Sequence, residues 1–188
     1  MSRWQPNARE RLESAALELF IEQGFAATTV PQITAHAGLT TRTFFRHFVD
    51  KREVLFAADD EFPALVSQIV SQAPSSLSPV AVFEAGIDAL AAEMFEGRLE
   101  FLRARHMVVR SDEGLAEREL SKRAAMADAI TRAYLDRGVD QVTAALTAQF
   151  TMAVVGVSVG RWIGENGATP LPHIMRETLQ LLRAIAAD

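Results

Sequence analysis

Residues 28–55 read TTVPQITAHAGLTTRTFFRHFVDKREVL, and this stretch decides the fold of the first part of the chain. Thr28 or Thr29 can cap a helix, because a threonine oxygen accepts hydrogen bonds from the free N–H groups of a first turn. Pro31 follows at a position where its missing N–H costs little. Gly38 can take the left-handed conformation that ends a helix. The stretch therefore predicts two short helices joined by a glycine turn.

The second of these helices has an apolar side and a polar side. Thr40 can cap it, and Phe44 and Phe48 are four residues apart, so they share a face that packs inward. Two helices joined by such a turn form a helix-turn-helix, whose second helix enters the major groove of DNA and reads bases with its first residues. We expect Arg42 and Thr43 to contact bases. The full set expected to contact DNA is Thr29, Thr40, Thr41, Arg42, Thr43, Phe45, Arg46, His47 and Lys51.

Around this motif the sequence resembles the TetR family of bacterial repressors, over roughly residues 9–56. The resemblance is carried by ALELFIEQGF, ATTVPQITAHAG and LTTRTFFRHFVDKREVL, and by an ordered set of residues: Gly24, Phe25, Thr29, Ile33, Ala37, Gly38, Thr40, Phe45, His47, Phe48, Lys51 and Leu55. It implies an all-α fold with a three-helix DNA-binding domain (residues 1–56) and a helical ligand-binding and dimerisation domain (residues 57–188). It also implies a homodimer on double-stranded operator DNA, most simply a repressor relieved by a small ligand.

Two positions depart from the usual form of that family. Phe45 stands where the family usually has Tyr, so a phosphate contact from that hydroxyl is absent. Arg42 stands where many relatives have Gly, so a cation is added at the groove. His47 matches a family position whose ring faces the DNA backbone. With Thr29, Thr40 and Lys51, it is a candidate for phosphate contacts.

Helix signals continue to the end of the chain, and no strand pattern of useful length is present. Asn7 and Glu10 form a capping pair for the first helix, and Gly24 ends it. A long helix is predicted from near Asp50 to Gln72, followed by a break at 74–79. The next helix is marked by Phe83, Ile87, Leu90 and Met94 and ends at Gly97, and later helices are predicted over 98–110, 112–137, 140–165 and 171–186.

The segment from Gln141 to Gly160 contains no charged residue over twenty positions. That is about the length of a membrane-spanning helix, but polar residues interrupt it and no second span exists, so we expect no membrane insertion. Glycines recur there every four residues, which lets another helix approach closely. Two interpretations remain, a buried core helix and a subunit interface, and we favour the interface because the last two helices of the family typically form one. The candidate interface residues are Met152, Gly156, Gly160, Ile174 and Leu181.

Large apolar residues between 83 and 163 suit either a core or an adaptable ligand cavity. His106 lies among arginines in RARHMVVR, which is either a solvated cationic face or part of a ligand site. The candidate ligand residues are Met94, Phe101, Arg103, His106, Met107, Met126, Tyr134, Phe150 and Trp162. Residues 103–130 and the segment RWIGENG also resemble TetR relatives tied to mycofactocin systems. Some of those relatives sense fatty acyl-CoA, which implies a largely apolar, acyl-CoA-like effector.

Composition and charge narrow the function further. The net charge is -5, yet residues 1–56 hold seven Lys/Arg against six Asp/Glu, which fits a local basic edge with few, directed DNA contacts. The chain has no cysteine, so disulfides are excluded. We find no metal-ligand spacing, phosphate loop or nucleophile motif, so we expect no enzyme and no cofactor. The first residues lack an apolar signal region, which predicts a cytoplasmic protein. The alternatives are an activator or architectural factor without a ligand, and a helical binding module that does not bind DNA.

Overall fold

The computed structural model describes residues 7–187, and within that range it contains nine α-helices and one 3-10 helix but no strand. The predicted all-α fold is therefore confirmed. In chain order the elements are α1 (Ala8–Gln23), α2 (Val30–His36), α3 (Thr41–His47), the 3-10 helix (Glu53–Glu61), α4 (Phe62–Gln72), α5 (Pro79–Phe95), α6 (Leu99–Arg110), α7 (Glu113–Asp136), α8 (Gln141–Gly164) and α9 (Leu171–Ile185).

The helices form two compact units, which we call the first and the second unit. The first unit comprises the chain up to Ala57 together with Glu100–Leu120. The second unit comprises Ala58–Leu99 and the chain from Ser121 onward. The first unit thus includes a segment from α6 and α7 that lies outside residues 1–56. The division into a DNA-binding domain and a ligand-binding domain at residue 56 stays a prediction.

The core of the first unit joins the three N-terminal helices to the α6–α7 segment. Asn7 caps α1 as predicted, because its side-chain oxygen accepts the Glu10 N–H at 2.9 Å. The apolar stripe of α1 then packs on α2, α3 and the 3-10 helix. The fully or nearly fully buried members of this core include Leu12, Ala16, Phe20, Ile33, Phe44, Phe56, Val109 and Leu115. This packing fixes the orientation of α3 within the first unit.

The single long helix predicted from near Asp50 to Gln72 is wrong. Asp50 instead accepts hydrogen bonds from the N–H groups of Arg52 (2.7 Å) and Glu53 (3.2 Å), and the 3-10 helix begins at Glu53. The α-helical conformation begins only at Phe62, with Pro63 in its first turn. A proline inside an α-helix removes one hydrogen bond and clashes with the preceding turn, whereas a first turn tolerates it. Pro63 therefore marks the start of α4.

The second unit contains a larger apolar core, built from α4, α5, α7, α8 and α9. Two polar contacts tie α7 to its neighbours. Tyr134 donates its hydroxyl proton to the Pro79 carbonyl at 2.8 Å, and burial raises the pKa of Tyr134 to about 12. Arg137 donates to the carbonyls of Val70 (2.8 Å) and Ala73 (2.9 Å), where α4 ends. The break predicted at residues 74–79 and the later helices match the observed elements.

Candidate nucleic-acid interface

The start of α2 is fixed by two adjacent threonines with different roles. Thr29 is the cap, because its side-chain oxygen accepts the Gln32 N–H while the Gln32 side chain accepts the Thr29 N–H at 2.8 Å. Thr28 is buried, and it donates its hydroxyl proton to the Gly24 carbonyl at 2.8 Å. Reciprocal bonds of this kind satisfy donors that a helix start leaves unpaired. Thr29 thus remains at the surface, next to the start of α2.

The turn between α2 and α3 has the predicted glycine geometry. Gly38 has φ +63°, a left-handed conformation that residues with a Cβ atom rarely adopt. The Leu39 N–H donates a hydrogen bond to the Thr34 carbonyl at 2.8 Å. Thr40 then caps α3, because its hydroxyl oxygen accepts the Thr43 N–H at 3.1 Å. Arg11 of α1 donates a hydrogen bond to the Ala37 carbonyl, a contact that the sequence did not predict. The turn is therefore stabilised both by hydrogen bonds within the helix-turn-helix and by one from α1.

The orientation of α3 separates its apolar residues from its polar ones. Phe44 is fully buried and Phe48 is 4% exposed, whereas Phe45 is 59% exposed and meets Phe44 edge-on with ring centroids 5.4 Å apart. The remaining predicted contact residues, Thr41, Arg42, Arg46 and His47, are exposed, and Thr43 is half-buried. One face of a short helix thus presents hydroxyls, an imidazole, an aromatic ring and cations to solvent.

Two guanidinium groups on α3 have no ion-pair partner among residues 7–187, those of Arg42 and Arg46. An exposed arginine can bind a guanine edge or a phosphate through two parallel hydrogen bonds. Arg42 lies in the first turn of the helix, the part that reaches base edges in helix-turn-helix proteins. The arrangement fits the sequence prediction for Arg42, whose contact with a base remains a prediction.

Lys51 occupies a different environment from these arginines. Its ammonium donates to the carbonyls of Phe25 and Thr28, at 2.7 Å in each case, and lies 4.3 Å from the centre of the Phe25 ring. Burial lowers the pKa of Lys51, and the charge of Asp112 opposes that shift. The cation is therefore directed at the loop between α1 and α2, which the sequence analysis did not foresee. The phosphate contact expected of Lys51 from the sequence stays a prediction, and the bonds to Phe25 and Thr28 favour an indirect role instead.

Residues 13–58 match a family model described as bacterial regulatory proteins, tetR family. This region of the chain belongs to the TetR family. Its similarity to the HTH-type transcriptional regulator TcmR of Streptomyces glaucescens is 35% identity over 96 residues, covering 49% of this chain and 41% of TcmR. The matched stretches span well under half of the length of the curated relatives.

Two solved structures extend the similarity in fold to nearly the whole chain. SmeT, the repressor of the Stenotrophomonas maltophilia multidrug efflux pump SmeDEF, is 24% identical with a TM-score of 0.62, covering 94% of this chain and 89% of SmeT. Thermus thermophilus FadR, solved in complex with lauroyl-CoA, is 21% identical with a TM-score of 0.52, covering 93% of this chain and 92% of FadR. At these identities the similarity concerns the fold alone. The N-terminal helix-turn-helix and the C-terminal helical part of this chain are thus both confirmed.

The candidate ligand residues of this chain are divided between the two units. A cavity of about 30 Å³ lies in the second unit, and of the candidates only Tyr134 lines it. Met94 is buried in the same core, and Met126, Phe150 and Trp162 are partly buried against it. Phe101, Arg103, His106 and Met107 belong to the first unit. The lining residues are Phe62, Val66, Ile69, Val70, Phe83, Gly86, Leu90, Ile130, Tyr134 and Thr151.

The candidate interface residues also divide by exposure. A Cβ added at Gly160 would meet nothing within 4 Å, and Leu181 is exposed. Met152 and Gly156 are partly buried, and a Cβ at Gly156 would come within 2.9 Å of the Arg123 guanidinium. Ile174 has no exposed surface, so the interface proposed below does not include it.

An exposed apolar face of α8, which we call the α8 stripe, was missed by the sequence analysis. Its members are spaced three, four or seven positions apart and so lie on one side of the helix. They are Val142, Leu146, Ala153, Val157 and Gly160, all exposed. Among residues 7–187, α8 is also the one helix long and apolar enough to cross a membrane by length and composition, a weak criterion. In the same range no group of His, Asp or Glu residues could hold a metal ion.

Proposed function

We propose that this chain is a cytoplasmic transcriptional repressor that binds a near-palindromic operator as a homodimer and is released by a small ligand. The observation that carries the proposal is the outward face of α3, with the free guanidinium groups of Arg42 and Arg46. A buried phenylalanine side fixes that helix, so its polar side is preorganised for a groove. The match of residues 13–58 to the TetR family model supports the same proposal.

The contacts with DNA divide into two classes. Arg42 and Thr43, in the first turn of α3, read base edges in the major groove. Thr29, Thr40 and His47 position the protein through phosphates, which fixes register without reading sequence. Thr41, Phe45 and Arg46 complete the surface around these contacts. Lys51 acts indirectly, because its bonds to the carbonyls of Phe25 and Thr28 hold the loop that precedes α2.

Dimerisation is proposed through α8 and α9. The α8 stripe is an apolar helix face that is exposed to solvent, and Leu181 and Ile185 form a second exposed apolar face on α9. Contiguous exposed apolar surface of this kind marks a protein interface. Pairing with a second copy would bury both faces and place two copies of α3 in successive major grooves, roughly 34–36 Å apart.

Release by a ligand requires a molecule that favours the form poorly matched to DNA, because only differential affinity shifts the equilibrium. A largely apolar effector suits the second unit, whose cavity has mainly aliphatic and aromatic walls. The resemblance noted in the sequence makes an acyl-CoA-like molecule one candidate effector. The effect of ligand binding would reach the DNA-binding helices through the 3-10 helix and α4, which follow the helix-turn-helix directly in the chain.

A mobility-shift experiment with the DNA upstream of the chain's own gene tests the proposal. Retardation of that duplex, competed by itself but not by unrelated DNA, is expected. Absence of retardation on any duplex would favour a helical binding module that does not bind DNA.

Titration of the complex with a long-chain acyl-CoA, and with free CoA as the control, tests the effector. Release by the acyl form alone is expected for an acyl-CoA sensor. Binding to DNA that no ligand changes would favour an activator or architectural factor.

A further inference from the structure

One hydroxyl in the second unit is buried without a partner. Thr151 of α8 is 6% exposed, and among residues 7–187 its Oγ1 is the buried side-chain oxygen or nitrogen with no hydrogen bond. Buried polar groups in native proteins are nearly always paired, and an unpaired one carries a cost in stability. Thr151 also lines the cavity described above. Its hydroxyl therefore combines burial, lack of a partner and a place in a cavity wall.

The unpaired state of Thr151 is not a general property of threonines in these helices. Thr131, Thr147 and Thr178 each donate a proton to the carbonyl four residues earlier, at 2.9, 2.7 and 2.8 Å. This is the usual way in which a helix satisfies such a hydroxyl. Thr151 makes no such bond, although it lies one turn after Thr147 on the same helix. Its hydroxyl is thus left available to a molecule in the cavity.

The rest of the lining restricts the chemistry of that molecule. The walls are otherwise aliphatic and aromatic, with Phe62 and Phe83 among them, and no charged side chain lines the cavity. The Tyr134 hydroxyl already donates to the Pro79 carbonyl at 2.8 Å. An ionised group would lose its hydration there without a compensating charge. The site therefore suits an uncharged molecule.

The size of the cavity restricts the molecule as well. A volume of about 30 Å³ holds little more than one or two waters, so any organic ligand must displace side chains on entry. The α4–α5 contact beside it is close, since a Cβ on Gly86 would come within 2.5 Å of the Ile69 side chain. A compact ligand needs the smallest displacement of this contact.

We propose that Thr151 anchors the effector by a hydrogen bond, and that the effector is a compact, uncharged, mainly apolar molecule with one hydroxyl or carbonyl group. This proposal rests on the ligand-relieved function proposed above, and it gives the effector a chemical class that differs from acyl-CoA, because no charged side chain lines the cavity. It places recognition at a single polar contact within apolar walls, so that the hydroxyl of Thr151 selects among ligands of similar shape.

The test uses p-cresol and p-xylene, which differ by a hydroxyl in place of a methyl group. Their dissociation constants are measured by NMR titration on the full chain without DNA, for the parent, Thr151→Val and Thr147→Val. Valine matches threonine in shape, and Thr147 is the control because its hydroxyl is bonded to the Thr143 carbonyl. We expect Thr151→Val to lower the preference for p-cresol over p-xylene by about two- to tenfold, and Thr147→Val to leave it unchanged.

An unchanged preference in Thr151→Val, or no saturable binding of p-cresol to the parent at millimolar concentration, would overturn the proposal. Thr151→Ser keeps the hydroxyl and should keep the preference, so it serves if the valine variant fails to fold. Release of the operator by p-cresol is measured separately. Binding of p-cresol without release would contradict ligand relief and leave the anchor at Thr151 standing.

Discussion

Lys51 and Arg46 are both cations near α3, but they differ in what surrounds them. The Lys51 ammonium is bonded to two main-chain carbonyls at 2.7 Å, whereas Arg46 is exposed and has no ion-pair partner among residues 7–187. A cation that is already bonded inside the protein displaces few counterions from DNA. The two residues should therefore affect DNA binding in different ways.

We expect Lys51→Met to lower the free energy of unfolding by about 1–3 kcal/mol, because the protein loses charged hydrogen bonds to carbonyls. The same change should weaken binding to all duplexes while the salt dependence of the affinity keeps its slope. Arg46→Met is the matched control, and it should reduce that slope by about one for each phosphate that Arg46 neutralises in the parent complex. Equal flattening of the slope in both variants would show that Lys51 contacts a phosphate.

Arg42 gives a prediction about sequence preference. Arg42→Ala should cost about 1–3 kcal/mol of binding free energy on the preferred operator and relax the preference at one base pair in each half-site. Selection of binding sites from a randomised duplex library, with the parent and the variant, measures both effects. A variant that selects the same sites with the same affinity would remove Arg42 from base recognition.

At the residue scale, the contacts that the sequence could predict are the local ones. Asn7 with Glu10 and Thr40 with Thr43 lie three residues apart, so the side chain and its backbone partner belong to one turn of helix. The partners of Lys51 lie more than twenty residues earlier in the chain. Such a contact depends on tertiary packing, which no local pattern specifies.

At the scale of elements, the turn between α2 and α3 depends on a left-handed residue. Gly38→Ala should lower the free energy of unfolding by about 1–2 kcal/mol, because a side chain at φ +63° is strained. Gly38→Asn is the control, since asparagine tolerates this conformation better. Urea unfolding measures both. Equal stability of the alanine variant and the parent would contradict the role of the turn.

The helix boundaries show which helix ends a local sequence pattern can predict and which it cannot. Gly24 and Asp140 lie at helix ends as predicted, because their effects act within one turn. The helix predicted between Asp50 and Gln72 is divided near Pro63, which lies in the first turn of α4. The apolar residues there do pack in the core. A 3-10 helix and an α-helix, however, bring residues to the same face at different sequence spacings. A proline within such a run is the signal that could have placed the boundary.

At the scale of the whole molecule, the α8 stripe carries the prediction about assembly. Val157 is 62% exposed, so Val157→Lys should leave the single chain folded and prevent the apolar faces of two copies from meeting. We expect a monomer in sedimentation equilibrium and a large loss of operator affinity. Leu120→Lys is the matched control, because Leu120 is 69% exposed in the first unit. A Val157→Lys variant that remains a dimer would place the interface elsewhere.

The sequence could identify α8 as unusually apolar, but not which side of it faces solvent. Gly156 and Gly160 belong to one repeat in the sequence, yet only Gly156 lies against another side chain, that of Arg123. Ile174 has the apolar character of an interface residue and is fully buried in the core. The exposure of these residues depends on the packing of the second unit as a whole, which a local sequence pattern does not specify.

We propose that α3 reads specific duplex DNA from a symmetric dimer. Footprinting of the parent chain on an operator selected from a randomised library tests it most directly. We expect two protected half-sites related by a two-fold axis, about one helical turn apart, and loss of this pattern with Arg42→Ala. A chain that selects no sequence above random duplex, or an Arg42→Ala variant that leaves an identical footprint at the same concentration, would contradict it.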